Sequence, residues 1–156
     1  MDRSSIPLRK FEKSPGFFGA MATRRIARGE VVTNLRGVPP VKERTLYSIQ
    51  IDQFHHLDTW EPEKRCYDDF INHGCSPNLF FDVGTLEFRA IRDIEPGEEV
   101  LLNYCATEEE LPGPFTCNCG SPDCYGVVSG FRLLSRTQQE SLKGLVSPWL
   151  KTKYGL

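Results

Sequence analysis

No stretch of this 156-residue sequence approaches the roughly 18 consecutive apolar residues of a membrane-spanning helix. The N-terminal segment, Met1 to Pro15, has no apolar centre of the kind a secretory signal carries. An intracellular protein is therefore the default expectation. Nucleus and cytoplasm are not distinguished, because Arg24-Arg25 and Lys151-Thr152-Lys153 are too thin for a nuclear address. There is no internal repeat and no low-complexity tract, which excludes solenoid and fibrous architectures. What remains is ordinary globular composition, 39% hydrophobic and 26% charged, in a chain long enough for one domain with a core of normal size.

The net charge of −2 is unevenly spread. Residues 1–28 carry a net +5 and residues 131–156 a net +4, while residues 29–130 carry a net −11. An acidic centre attracts lysine-rich partners and repels nucleic-acid phosphate, so no direct nucleic-acid binding is expected. The alternative is simply a solvated acidic surface.

Turns and alternation predict a mainly β chain with short helices. Gly29 to Gly37 reads as a strand between glycines. Leu46 to Ile51 and Phe54 to Asp58 read as a hairpin around Asp52-Gln53. Leu79 to Val83 and Leu86 to Ile91 form a second hairpin around Gly84-Thr85, and Glu99 to Tyr104 is a further strand. Thr137-Gln138-Gln139-Glu140 has the form of a capping box opening a C-terminal helix that Pro148 ends.

Three local patterns carry chemistry. Phe115 to Cys124 places Cys117, Cys119 and Cys124 in C-x-C-x₄-C spacing. Clustered thiolates on a short Gly/Pro-containing loop suit three of the four ligands of a tetrahedral zinc. The second pattern is Asn72-His73-Gly74-Cys75-Ser76-Pro77-Asn78, and the third is Gly97-Glu98-Glu99-Val100-Leu101-Leu102-Asn103-Tyr104. Taken singly, each of these also reads as a polar turn or a strand end.

In this order the three resemble the SET and post-SET modules of protein-lysine methyltransferases. Gly19-Ala20-Met21-Ala22-Thr23-Arg24-Arg25-Ile26 with Gly29-Glu30 resembles the SET N-terminal segment, so the likeness covers roughly residues 14–127. It implies a SET domain over 14–105, a post-SET zinc-binding segment over 106–127 and a C-terminal helical tail over 128–156. The implied fold is a set of small curved β-sheets with a pseudoknot at the Asn72–Asn78 segment. Two departures stand out: Phe17 occupies the place of the family's first glycine, with Gly16 before it, and no cysteine-rich segment precedes the SET pattern.

The resemblance implies S-adenosylmethionine as cofactor, held by backbone around Phe18, Gly19 and Ala20, by Asn72 and His73, and by Tyr104, with Tyr125 over the adenine. It makes Cys75 the fourth ligand of a structural zinc, beside Cys117, Cys119 and Cys124, and leaves Cys66 and Cys105 as core residues. Tyr104 becomes the central catalytic tyrosine and Tyr47 a second catalytic aromatic. Tyr47, Phe81 and Leu102 would line the lysine channel. The implied substrate is a lysine-containing protein or peptide, a histone tail among the candidates. The alternative is a SET-like module that binds peptide or S-adenosylmethionine without turnover. A third reading is a zinc-ribbon interaction protein with no cofactor.

Overall fold

The computed structural model describes residues 6–59 and 67–156. Cys66 lies outside them. The chain opens with an antiparallel hairpin, Leu8–Ser14 against Phe17–Ala22. Its turn is Pro15-Gly16, where Gly16 takes the left-handed φ of +78° that favours glycine. The hairpin straddles residue 14, so the folded unit begins earlier than the motif did. Phe17 stands at the turn, half-exposed, and the inward positions of its strand are the small Ala20 and Ala22.

A five-stranded sheet forms the centre, in the order Val31–Asn34, Glu87–Ala90, Leu79–Asp82, Leu101–Leu102, Asn72–His73. Both expected hairpins are present, in shortened form. Leu79–Asp82 pairs with Glu87–Ala90, and the Asp82 carboxylate accepts from the amides of Gly84 and Thr85 to close the turn. Ser48–Gln50 pairs with His56–Asp58 in a separate three-stranded sheet with Pro40–Val41. There the Asp52 carboxylate closes the turn by accepting from Phe54 and His55.

The segment expected as one strand from Glu99 to Tyr104 does three jobs in six residues. Glu99 bridges to Met21 and the Val100 amide donates to the Ala20 carbonyl, tying it to the N-terminal hairpin. Leu101–Leu102 then runs parallel to Asn72–His73 on one side and Leu79 on the other. At Asn103 the side chain accepts from the Cys105 amide and turns the chain into a short 3₁₀ helix, Tyr104–Ala106.

Because a parallel neighbour flanks Leu101–Leu102 on both sides, residues 72–78 must pass round it. Asn78 fixes that wrap. It is 2% exposed, its amide group donates to the Glu99 carbonyl at 2.8 Å, and its side-chain oxygen accepts from the Leu101 amide at 2.7 Å. The Gly74 and Asn78 backbone amides donate to Leu102 and Leu101. A Cβ on Gly74 would lie 2.9 Å from the Leu101 side chain, so no larger residue fits without displacement.

Two hydrophobic clusters result. The larger is built on Ile26, Val32, Leu57, Leu79, Phe88, Ile94 and Val100. The smaller joins Cys75, Cys105 and Cys117 to Val128, Phe131, Leu142, Val146 and Leu150. The C-terminal segment is thus half of the second core. It contains two helices, not one. The capping box sits two residues earlier than expected, with Ser135 and Gln138 exchanging side-chain and backbone hydrogen bonds ahead of helix Arg136–Ser141. Pro148 opens the second helix, Pro148–Tyr154, at the position where its missing amide costs nothing. No described helix is long and apolar enough to cross a membrane.

Asn78→Ala should remove its three side-chain bonds, to Glu98, Glu99 and Leu101, and leave the part-buried Leu101 amide unsatisfied. A loss of about 2–4 kcal/mol in urea unfolding is expected, against a change within about 0.5 kcal/mol for Gly144→Ala, whose added Cβ meets open space.

Candidate active site and metal centre

The four sulfurs of Cys75, Cys117, Cys119 and Cys124 all lie within 4.8 Å of one another. Cys75 and Cys117 are 3.9 Å apart. A zinc tetrahedron with bonds of about 2.3 Å has sulfur–sulfur edges of about 3.8 Å, so the cluster fits the ion. The loop is shaped by left-handed Gly120 and Gly126 and by the Cys117 amide donating to the Gly126 carbonyl at 2.7 Å. The Tyr125 amide and His73 Nε2 each lie 3.3 Å from the Cys75 sulfur, as donors round a metal thiolate do. Burial pushes the Cys75 and Cys117 thiols up. At Cys119 burial is outweighed by hydrogen bonds from the Ser121 and Cys75 amides, which bring that thiol down to about 7. Cys105 is buried away from the cluster.

The residues expected to hold the cofactor converge next to this centre. Asn72 Nδ2 donates to the Phe18 carbonyl at 2.9 Å and to Glu99 Oε1 at 3.1 Å. Gly19 allows close approach here: a Cβ would fall 2.6 Å from Glu99 Oε1 and 2.8 Å from the Phe11 ring and displace those side chains. Lys13 Nζ is 2.6 Å from the same Glu99 carboxylate. A backbone carbonyl, a carboxylate and an ammonium side by side match by charge the ammonium and carboxylate of an amino-acid end. His73 accepts the Tyr104 amide at Nδ1, 3.2 Å away, and burial lowers its pKa to about 4, so the ring is neutral. Its ring packs edge-on against Tyr104 and Phe115 and tilted against Tyr125, with centroids 5.4, 5.7 and 6.2 Å away. The Tyr125 hydroxyl accepts from Asn103 at 2.9 Å. Phe17 is half-exposed at the hairpin turn, with the Lys13 ammonium that meets Glu99 5.5 Å from its ring centre.

On the other side of Tyr104 lies a cavity of about 170 Å³. Its apolar wall includes Ile49, Ile71, Phe88, Leu102 and Phe115, with Tyr47 in the turn before its strand. The Tyr104 hydroxyl donates to the Ile71 carbonyl at 2.9 Å, and burial and the nearby charges of Glu99 and Glu108 push its pKa up, so the phenol stays protonated. Tyr47, Leu102 and Tyr104 are therefore brought together as expected. Phe81 is not on the cavity wall. It is buried behind Phe88, 4.9 Å between ring centroids, and Phe88 takes the lining position, because alternation puts these cross-strand partners on one face and only the second reaches the opening.

Sequence reasoning missed Asp69, Glu108 and Phe115 as lining residues. Glu108 begins the acidic run Glu108-Glu109-Glu110, which reads as a solvated face, and nothing in the pattern marks its first member as buried. Burial raises its pKa to about 7, against the Gln50 amide, the Thr107 hydroxyl and the Arg44 charge.

Fold and site together define a class: a mainly β domain in which a wrapped polypeptide joins a four-cysteine metal centre to an acceptor-lined cleft and an apolar cavity. Residues 18–105 match the SET domain family model, and the chain belongs to that family. It is similar to the methyltransferase flvH of Aspergillus flavus, 32% identical over 104 residues that cover 65% of this chain and 56% of that protein. It is also similar to an H3 lysine-36-specific histone-lysine N-methyltransferase of Aspergillus oryzae, 39% identical over 77 residues, 46% of this chain and 7% of that protein. Among solved structures, Arabidopsis thaliana SUVH6 in complex with SAM aligns over 79% of this chain and 33% of that chain, with a TM-score of 0.63 and 18% identity. KRYPTONITE in complex with mCHG DNA and SAH aligns over 79% and 29%, with a TM-score of 0.61 and 20% identity. These likenesses establish the shared fold. The chain spans little more than half of the first of these curated relatives and far less of the other.

Purified protein should carry about one zinc per chain by metal analysis. Cys75→Ser should lose zinc as fully as Cys117→Ser, although it lies 42 residues upstream, and a chelator should lower the unfolding temperature. Full zinc content in Cys75→Ser would remove that residue from the ligand set.

Proposed function

We propose that this protein transfers methyl groups from S-adenosylmethionine to lysine side chains of proteins. The observation that carries the reading is the position of Tyr104 between the two halves of the site. Its backbone binds His73 in the cofactor cleft, and its ring and hydroxyl form the wall of the cavity.

Bound in the cleft, S-adenosylmethionine supplies a methyl group activated by a sulfonium charge. Phe18, Asn72 and Glu99 would hold its amino-acid end, and Tyr125 would cover the opposite end. A lysine side chain is almost wholly protonated in water at neutral pH, with a pKa of about 10.4. The apolar wall of Ile71, Leu102 and Phe115 favours the neutral amine, and the neighbouring cation favours it further. Tyr104, whose proton is committed to the Ile71 carbonyl, keeps its oxygen lone pairs to orient the amine. A zinc ion held by Cys75, Cys117, Cys119 and Cys124 would have no open position for substrate, so its part would be structural. It would pin the Tyr125 loop over the cleft.

The substrate class follows from charge. Residues 29–130 carry a net −11, which attracts a basic segment and opposes phosphate, so a lysine-rich protein such as a histone tail fits better than nucleic acid. Relatives named for H3 lysine-36 and H3 lysine-9 support this reading, and one structural neighbour was solved with an H3(1–15) peptide together with mCHH DNA. That neighbour and the one solved with mCHG DNA each share only 29% of their length with this chain.

Labelled methyl transfer to core histones and lysine peptide arrays tests the proposal. Tyr104→Phe should lose on the order of a hundredfold in kcat/KM while still binding S-adenosylmethionine. Asn72→Ala should bind it at least about tenfold more weakly, the cost of one charge-assisted hydrogen bond. Folded, zinc-loaded wild type that binds no S-adenosylmethionine would refute the enzyme reading.

A further inference from the structure

The cavity beside Tyr104 contains a group that the mechanism above does not use. Glu108 is 4% exposed, yet only one of its oxygens is engaged. Oε1 accepts from the Gln50 amide at 2.7 Å and from the Thr107 hydroxyl at 3.1 Å. Oε2 is buried and has no hydrogen-bond partner among the described residues. The backbone that carries it is also held in place. The Glu109 amide donates to Gln50 Oε1 at 3.0 Å, and the Phe131 amide donates to the Glu108 carbonyl at 2.8 Å. Gly130, with φ of +116° and room for no Cβ beside the Glu109 carbonyl, lets the C-terminal segment press against this stretch. Burying a carboxylate with a free oxygen is costly unless a cation or donor meets it.

We propose that Glu108 is the substrate-receiving carboxylate of the cavity: anchored through Oε1, it turns Oε2, which is closed off at rest, onto an incoming alkylammonium, takes a hydrogen bond from it and accepts its proton. The proposal rests on the lysine methyltransferase reading. In the step, an N–H bond of the ammonium breaks, its electron pair stays on nitrogen, and the proton forms the O–H bond at Oε2. The nitrogen pair then forms the bond to the sulfonium methyl, the carbon–sulfur pair leaves with sulfur, and Glu108 returns its proton to water as product departs. Tyr104 orients the amine and Glu108 sets its charge.

The surroundings suit an acceptor active at neutral pH. Burial holds Glu108 near 7, well above an exposed carboxylate, so it is ionised above that value and lost as an acceptor below it. Arg44 is the nearby cation opposing that rise, Tyr104 and Cys105 face it as neutral groups, and Asp69 and Tyr47 share its cavity. Glu109 is engaged by Lys153 and Tyr154, and Glu110 by Arg132.

The test is titration of the zinc-loaded protein with n-butylamine, a mimic of the lysine side chain, followed by NMR between pH 6 and 9. Wild type should bind it saturably in the millimolar range and lose affinity as pH falls through about 7. Glu108→Gln should bind at least tenfold more weakly with a flat pH dependence, and Glu110→Gln should match wild type. The pH dependence of wild type is informative even if Glu108→Gln folds poorly. Equal affinity and pH dependence in Glu108→Gln, or no saturable binding by wild type, would overturn the proposal. S-adenosylmethionine titrated into the same samples reports separately on the methyltransferase reading: its failure to bind would count against that reading, while the amine titration still decides the role of Glu108.

Discussion

The passage of residues 72–78 around Leu101–Leu102 is the constraint on which the rest of the molecule depends. Parallel pairing on both sides of a two-residue strand leaves no other route for the chain, and Asn78 and Gly74 make the route specific. One short loop then serves three places at once. Asn72 reaches the Phe18 carbonyl, His73 receives the Tyr104 amide, and Cys75 enters the cysteine cluster. Alternation along an extended chain separates these duties: neighbouring side chains point opposite ways, so one segment faces two sites.

The metal centre and the C-terminal segment form the second half of this arrangement. Cys75 and Cys117 belong to the same hydrophobic cluster as Phe131, Leu142 and Leu150. The Ser147 amide donates to Ala106 and the Phe131 amide to Glu108, so the last 25 or so residues also hold the stretch that follows Tyr104. The cysteine-bearing loop from Phe115 to Cys124 buries little apolar surface by itself. Four metal–sulfur bonds and a shared core supply what the loop lacks. The cleft at Asn72 and the cavity beside Tyr104 thus share a wall that the cysteine cluster and the C-terminal helices back from behind.

Much of this was legible in the sequence because motifs that bind ligands through fixed spacing survive as strings. The four cysteines, Asn72, His73, Tyr104 and the glycine-bearing Phe18–Ala20 stretch are brought together as the resemblance implied. Other features were not legible. The hairpin beginning at Leu8 has an exposed outer strand with little alternation. The capping signal Ser135-Arg136-Thr137-Gln138 overlapped Thr137-Gln138-Gln139-Glu140, and only packing of the following turn decides between them. Phe81 and Phe88 are equally apolar, and register alone tells which one lines the cavity. Glu108 is hidden in a run of three acids, where burial of the first depends on Gln50, 58 residues upstream.

Hydrogen–deuterium exchange of the zinc-loaded protein with and without S-adenosylmethionine tests the central claim, that one wrapped loop unites the N-terminal hairpin, the loop itself and the cysteine-bearing segment into a single cofactor site. Protection should rise together in residues 17–20, 72–74, 103–105 and 124–126, which are far apart in sequence and joined only by this geometry. Protection confined to one of these segments, or none in protein that retains its zinc, would contradict it.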